Sequence, residues 1–210
     1  RGLVGSEMCI RDSPYTDEDY FAYVDGKPRY DGVRDFFASR GITLPEGDPS
    51  DGPAAQTICG LGNRKNDLFN TVLARDGIQP YPGSRRWVDR LHESGMAMAV
   101  VSSSRNAAAV LKAAGMAEDF SVLVDGNRSK AERLPGKPAP DTYLRGAELL
   151  GVPAEECVVV EDAVSGVRAG AAGGFGMVLG VNRGVGADRL REAGADRVVD
   201  DLDEMVEEMA

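Results

Sequence analysis

Three short stretches carry residue types that could handle a phosphorylated ligand: VVSSSRNA at 100–107, LPGKPAPDTY at 134–143 and CVVVEDAVSG at 157–166. In the first, Ser102, Ser103, Ser104, Arg105 and Asn106 form a hydroxyl-rich turn between an apolar run and a helical pattern. Hydroxyls and backbone N–H groups at a helix start suit a phosphate, although a single serine there also serves simply as a cap. In the second, Lys137 sits between Gly136 and a Pro-Ala-Pro run whose rings restrict the backbone around it; a solvated loop lysine is the plainer alternative. In the third, Glu161 and Asp162 are adjacent acids directly after an apolar run. Hard oxygen ligands of this kind suit Mg2+, and an aspartate there equally suits a helix N-cap. The three stretches make more sense together than apart. A phosphate meeting carboxylates at about 4 Å is repelled by roughly 4 kcal/mol per charge pair at an effective dielectric near 20. A divalent cation on the acids, with Lys137 and the serines opposite, removes that repulsion. Phosphoryl transfer asks little more of a protein than positioning and charge balance.

These residues need elements to hold them. From Tyr81 onward, short apolar runs alternate with helical patterns. MAMAVVS, FSVLVDG, ECVVVED, GMVLGV and DRVVDD read as strands. GSRRWVDRLHESG, SRNAAAVLKAAG, APDTYLRGAELLG, AVSGVRAGAAGG, GADRLREAG and LDEMVEEMA read as helices. This alternation predicts an α/β fold with a doubly wound parallel sheet. Ligands of such sheets bind beyond the carboxyl ends of the strands, where all three stretches fall. Between Tyr15 and Gln79 the pattern differs. GVRDFFASRGI and NRKNDLFNTVLARDGI read as helices, LPEGDPSDGPAAQ as the loop between them, and no strand stands out. The chain thus divides into a helical module at 14–79 and an α/β core at 80–210.

Composition narrows the ligand. A net charge of -10 over 210 residues argues against nucleic acid or an anionic membrane as partner. No apolar run is long enough to span a bilayer, and the start lacks the order of a signal peptide. Cys9, Cys59 and Cys157 have neither metal-ligand nor disulfide-framework spacing, and their number is odd, so reduced thiols in a cytoplasmic protein are expected. The one histidine, His92, reads as an ordinary helix residue, which leaves no basis for a histidine-centred triad or a zinc site.

The same stretches resemble the motifs of the haloacid dehalogenase superfamily, specifically its β-phosphoglucomutase-like branch. VVSSSRNA is similar to the second motif, whose first serine, here Ser102, binds the transferring phosphate. GKPAPDTY is similar to the third, with Lys137 as the phosphate's charge partner, and VVVEDAVSGV to the fourth, with Glu161 and Asp162 at a Mg2+ site. The helical module then corresponds to the cap. Its GLGNRKNDLF resembles the mutases' cap segment, in which Arg-Lys-Asn-Asp begins a helix; this implies that Arg64, Lys65 and Asn66 bind the distal end of a sugar phosphate. YDGVRDFF resembles the other cap loop and implies Arg34 as a grip for the remote phosphate. The resemblance implies isomerisation of β-glucose 1-phosphate to glucose 6-phosphate by a monomer, or alternatively hydrolysis of a sugar phosphate.

The family's first motif is an apolar strand ending in Asp-x-Asp-Gly, whose aspartates are nucleophile and acid/base. Nothing before Tyr15 fits it. Asp201-x-Asp203 lies at the far C-terminal end without the glycine, and the Asp-Gly pairs at 25–26 and 125–126 lack the second aspartate. GLVGSEMCIRDS instead resembles a sequencing-library adapter read as protein, which implies that residues 1–13 belong to no natural fold. On this reading the chain is truncated, the central strand between 97–102 and 156–160 is missing, and the chain as it stands is an inactive fragment.

Overall fold

The computed structural model describes residues 14–208. The expectation for residues 1–13, and with it what stands beside the strands at 99–101 and 158–161, lies outside the described residues. The chain divides into two compact units at Arg75/Asp76.

The first unit is helical. A short turn, α1 (Asp17–Asp19), runs into a π-helical stretch at Tyr20–Val24, and α2 (Arg29–Ser39) packs on that stretch. The turn is set by a capping box: Thr16 accepts from the Asp19 N–H while the Asp19 carboxylate accepts from the Thr16 N–H. The long α3 (Ile58–Asp76) starts six residues ahead of Arg64, so Arg64-Lys65-Asn66 sits within the helix and does not begin it. Gly60 and Gly62 read locally as breakers, yet both are buried contact points. A Cβ on Gly60 would lie 2.5 Å from the Ala55 carbonyl oxygen, and one on Gly62 would lie 2.8 Å from the Tyr30 ring. Glycine is there because backbone and ring come too close for any side chain.

Among the described residues the second unit carries every strand. After α4 (Pro82–Glu93) come β1 (Ala99–Val101), α5 (Ala107–Ala113), β2 (Val122–Val124), α6 (Gly126–Glu132), α7 (Asp141–Leu150), β3 (Val158–Glu161), α8 (Val164–Ala172), β4 (Met177–Val181), α9 (Ala187–Glu192), β5 (Arg197–Val199) and α10 (Asp203–Glu208). All pairings are parallel, as the alternation predicts. Among the described residues the strands form two sheets, β1–β2 and β3–β4–β5. β1 joins β2 with Ala99 opposite Val122, and β4 lies between β3 and β5. Helix α7 packs on β1 and β2, α8 on β3 and β4, and α9 on β4 and β5. The core centres on Leu179, Val181, Val199 and Leu202, with Trp87, Val160 and Met205 packed against it. Fully buried Val167 and Leu190 are the inward residues of α8 and α9. One helix has no counterpart in the sequence reading. GNRSKAE, at 126–132, has no apolar stripe and is helical because Asp125 caps it.

Candidate active site

The carboxyl end of β1 continues into Ser102–Asn106, and this loop is pinned to the end of β2. The Ser102 N–H donates to the Val124 carbonyl at 2.9 Å and the Gly126 N–H to the Ser104 carbonyl at 3.1 Å. The Asn127 side-chain amide donates to the Arg105 carbonyl at 3.0 Å. Gly126 is forced by this closeness, since a Cβ there would come 2.7 Å from the Ser103 carbonyl oxygen. Within the loop, Ser102 Oγ accepts from the Ser104 N–H at 3.2 Å and Ser104 Oγ from the Asn106 N–H at 3.1 Å. A hydroxyl acts as donor and acceptor at once, so both serines shape the turn while keeping an O–H to donate to an anion.

Buried Asp125 orients this loop. Its carboxylate accepts from the N–H groups of Asn127 and Arg128 and from the Asn127 amide. It is the N-cap of α6, and all its partners are local, which agrees with reading its Asp-Gly pair as something other than a nucleophile. Asp201 is likewise committed. It accepts from the Asp203 N–H and from Arg183 at 3.0 Å.

At the end of β3, Lys137 Nζ lies 2.7 Å from Glu161 Oε1, with the two side chains only 6% and 12% exposed. Glu161 thus has a buried cation partner from the chain itself, 24 residues upstream. The Asp162 N–H donates to Glu161 Oε2 at 3.2 Å. Lys137 also lies 4.7 Å from the centroid of the Tyr143 ring, a cation–π contact. The Tyr143 hydroxyl is buried with no hydrogen-bond partner of good geometry. Its burial first, then the charge and the nearby carboxylate of Glu161, and then the Asp162 charge push its pKa well above the ordinary tyrosine value. Gly166, one turn into α8, completes the cluster. A Cβ there would fall 1.6 Å from Glu161 Oε1 and 2.2 Å from its Cδ. Tyr143 and Gly166 lie inside the quoted motifs, but nothing in their local pattern marks them as partners of Lys137 and Glu161.

In the helical unit, Arg34 is held by two acids: Nη2 is 2.6 Å from Glu46 and Nη1 2.5 Å from Asp31. The hydrogen bonds it donates to Glu46 and then to Asp31 raise its pKa further. Arg64 and Lys65 are exposed, whereas Asn66 turns to Arg29, whose Nη2 donates to its Oδ1 at 2.6 Å. Successive helical residues diverge by about 100°, so Arg64, Lys65 and Asn66 do not share a face.

Glu161 and Asp162 fit Mg2+ as a cation held by one or two carboxylates, with water and a substrate phosphate filling the remaining positions. Among the described residues no group of three or more acidic, histidine or cysteine side chains is placed to hold a metal by itself. No helix among them is long and apolar enough to cross a membrane.

A parallel α/β unit with a hydroxyl loop, a buried lysine and paired acids at its strand ends has the features of a phosphate-handling protein. The chain belongs to the haloacid dehalogenase-like hydrolase family, whose model matches residues 10–174. It is 50% identical over 191 residues to a β-phosphoglucomutase of Mycobacterium bovis, covering 90% of this chain and 73% of that protein. Hexitol phosphatase A of Escherichia coli is 33% identical over 190 residues, covering 90% and 77%. The crystal structure of β-phosphoglucomutase from Clostridium difficile superposes with a TM-score of 0.73 at 19% identity, covering 98% of this chain and 87% of that one, a likeness of fold. The family resemblance of the motifs and the α/β fold expected from the strand–helix alternation are both borne out.

Proposed function

We propose that the protein serves Mg2+-dependent phosphoryl transfer on a sugar phosphate, with β-glucose 1-phosphate to glucose 6-phosphate as the specific reaction. The observation that carries this is the buried Lys137–Glu161 pair at the end of β3, with Asp162 next to it. In this reading the Ser102 hydroxyl donates to the transferring phosphate, and Ser103, Ser104, Arg105 and Asn106 shape its loop. Lys137 balances the phosphate's charge as it leaves its bond to Glu161. Glu161 and Asp162 hold Mg2+, which supplies charge neutralisation at the phosphoryl oxygens. Arg34, Arg64, Lys65 and Asn66 serve the remote end of the ligand, Arg34 only by exchanging Asp31 and Glu46 for it. The nucleophile and the acid/base aspartate lie outside residues 14–208. The commitments of Asp125 and Asp201 support that placement.

A coupled assay for glucose 6-phosphate tests the reaction in a chain that supplies an Asp-x-Asp-Gly strand. Phosphate release without glucose 6-phosphate would instead establish the second reading, a sugar-phosphate phosphatase, which the similarity to hexitol phosphatase A favours. For the 210-residue chain itself no turnover is expected. Glucose 6-phosphate formation abolished by Asp162→Ala would refute that.

A further inference from the structure

We propose that Tyr143 is a positioning residue of the phosphate site: its ring stays with Lys137 as that lysine turns to a phosphate, and its hydroxyl takes the lysine's place on Glu161. This deepens the function proposed above and rests on it. The need arises from burial. Lys137 and Glu161 pair almost out of reach of solvent, and taking one charge from such a pair strands the other. A lysine that leaves for a phosphate vacates Glu161 Oε1, which it holds at 2.7 Å, while Oε2 keeps the Asp162 N–H at 3.2 Å. A metal ion at Glu161 replaces the lost charge, but a hydrogen bond is what fixes the way a ligating carboxylate faces.

Tyr143 has the donor for that bond. Its hydroxyl is buried and, among the described residues, has no hydrogen-bond partner. Its ring centroid lies 4.7 Å from Lys137 Nζ, which places the tyrosine beside the pair. Glu161 is near enough to act on the hydroxyl: after burial, its charge and carboxylate raise the Tyr143 pKa, so the group is a neutral donor at neutral pH. A phenylalanine would keep the ring on Lys137 without burying an unpaired hydroxyl, so packing alone does not account for a tyrosine here. The residue is also held in place. It stands in the first turn of α7, where its N–H donates to the Pro140 carbonyl at 2.9 Å. Its ring meets Phe175 edge-on, with centroids 6.0 Å apart. Phe175 is seated in turn against Gly173, where a Cβ would come 2.4 Å from the phenyl ring. A shift of the lysine alone therefore exchanges an ammonium for a hydroxyl on the same carboxylate. No proton moves, and Lys137 and Glu161 keep their charges.

The test takes the lysine away. In the whole chain, Lys137→Met reproduces the state in which Glu161 has lost its ammonium. At neutral pH, Tyr143→Phe should lower Tm by less than about 1 °C in the unmodified chain and by roughly 4–8 °C in the Lys137→Met background, where the hydroxyl bonds a carboxylate. An equal change in both backgrounds overturns the proposal, because a tyrosine that only packs is indifferent to the lysine's departure from Glu161. The second readout is the Tyr143 Cζ resonance of the unmodified chain on titration with Mg2+ and inorganic phosphate, and it decides alone if Lys137→Met shows no thermal transition. It should move together with the Lys137 Nζ resonance. A Tyr143 resonance that stays put while that of Lys137 moves overturns the proposal and leaves the phosphate reading in place. If neither moves, Lys137 takes no phosphate, and the proposal falls together with the function it rests on.

Discussion

Replacing Gly166 by alanine should break the Lys137–Glu161 pair without touching either residue. The new methyl would occupy the position of the Glu161 carboxylate, 1.6 Å from Oε1 and 2.3 Å from Cγ. The glutamate is flexible enough to swing aside, so the backbone need not move, but in doing so it leaves Lys137, 6% exposed, without its anion. Breaking a pair buried to this degree costs about 3–5 kcal/mol. Alanine returns about 0.8–1 kcal/mol through its better helix propensity, and the Tyr143 ring keeps part of the lysine's stabilisation. The net loss is about 2–3 kcal/mol, or roughly 5–10 °C in Tm for a protein of this size. Thermal unfolding of four proteins settles it: the unmodified chain, Gly166→Ala, Glu161→Ala and the double variant. With no glutamate side chain to displace, Gly166→Ala should become neutral or slightly stabilising in the Glu161→Ala background. An equal loss in both backgrounds, or none in either, would refute the reasoning.

Three further outcomes follow from the same geometry. The folded state raises the pKa of Tyr143, mainly by burial, so it favours the neutral hydroxyl, and that contribution is intact below about pH 10 and lost as pH rises beyond it. Tyr143→Phe should therefore flatten the fall of Tm between about pH 9.5 and 11. At neutral pH it should change Tm little, because the hydroxyl makes no hydrogen bond of good geometry. Asp125→Ala should cost about 1–2 kcal/mol in denaturant unfolding by removing the cap of α6, and should also weaken phosphate binding by loosening the Ser102–Asn106 loop. Asp201 has its pKa lowered, first by the Asp203 N–H and then by Arg183, so its contribution is present above the ordinary carboxylate range and lost as pH falls through the lowered value. Asp201→Asn should flatten the acid limb of the Tm profile below about pH 4.

The strands were legible because each is a continuous apolar run, buried as parallel strands are. Val122–Val124 and Met177–Val181 stand inside the runs read as strands. Helices with an apolar stripe were equally plain, as in α4, where Val88 and Leu91 face inward. What escaped depends on contacts between distant residues. α6 has no stripe, and its helix rests on one buried cap. The start of α3 was placed too late because Gly60 and Gly62 break helices locally, and only the Ala55 carbonyl and the Tyr30 ring explain them. Lys137, Glu161 and Asp162 could be picked out as phosphate and metal chemistry, but their pairing could not, since a lysine and a glutamate 24 residues apart carry no local sign that they will meet.

The division of the strands into a pair and a triplet bears on how the second unit opens. Among the described residues no hydrogen bond joins β1 to β3, and α7, resting on β1 and β2, touches α8. Amide exchange should then separate into two groups. The β1–β2 amides, paired among the described residues only with each other, should open at a lower free energy than those of β4, which is bonded on both sides. The serine loop would open with the first group and the acids of β3 with the second. A ligand that touched both would register as a merging of the two exchange rates.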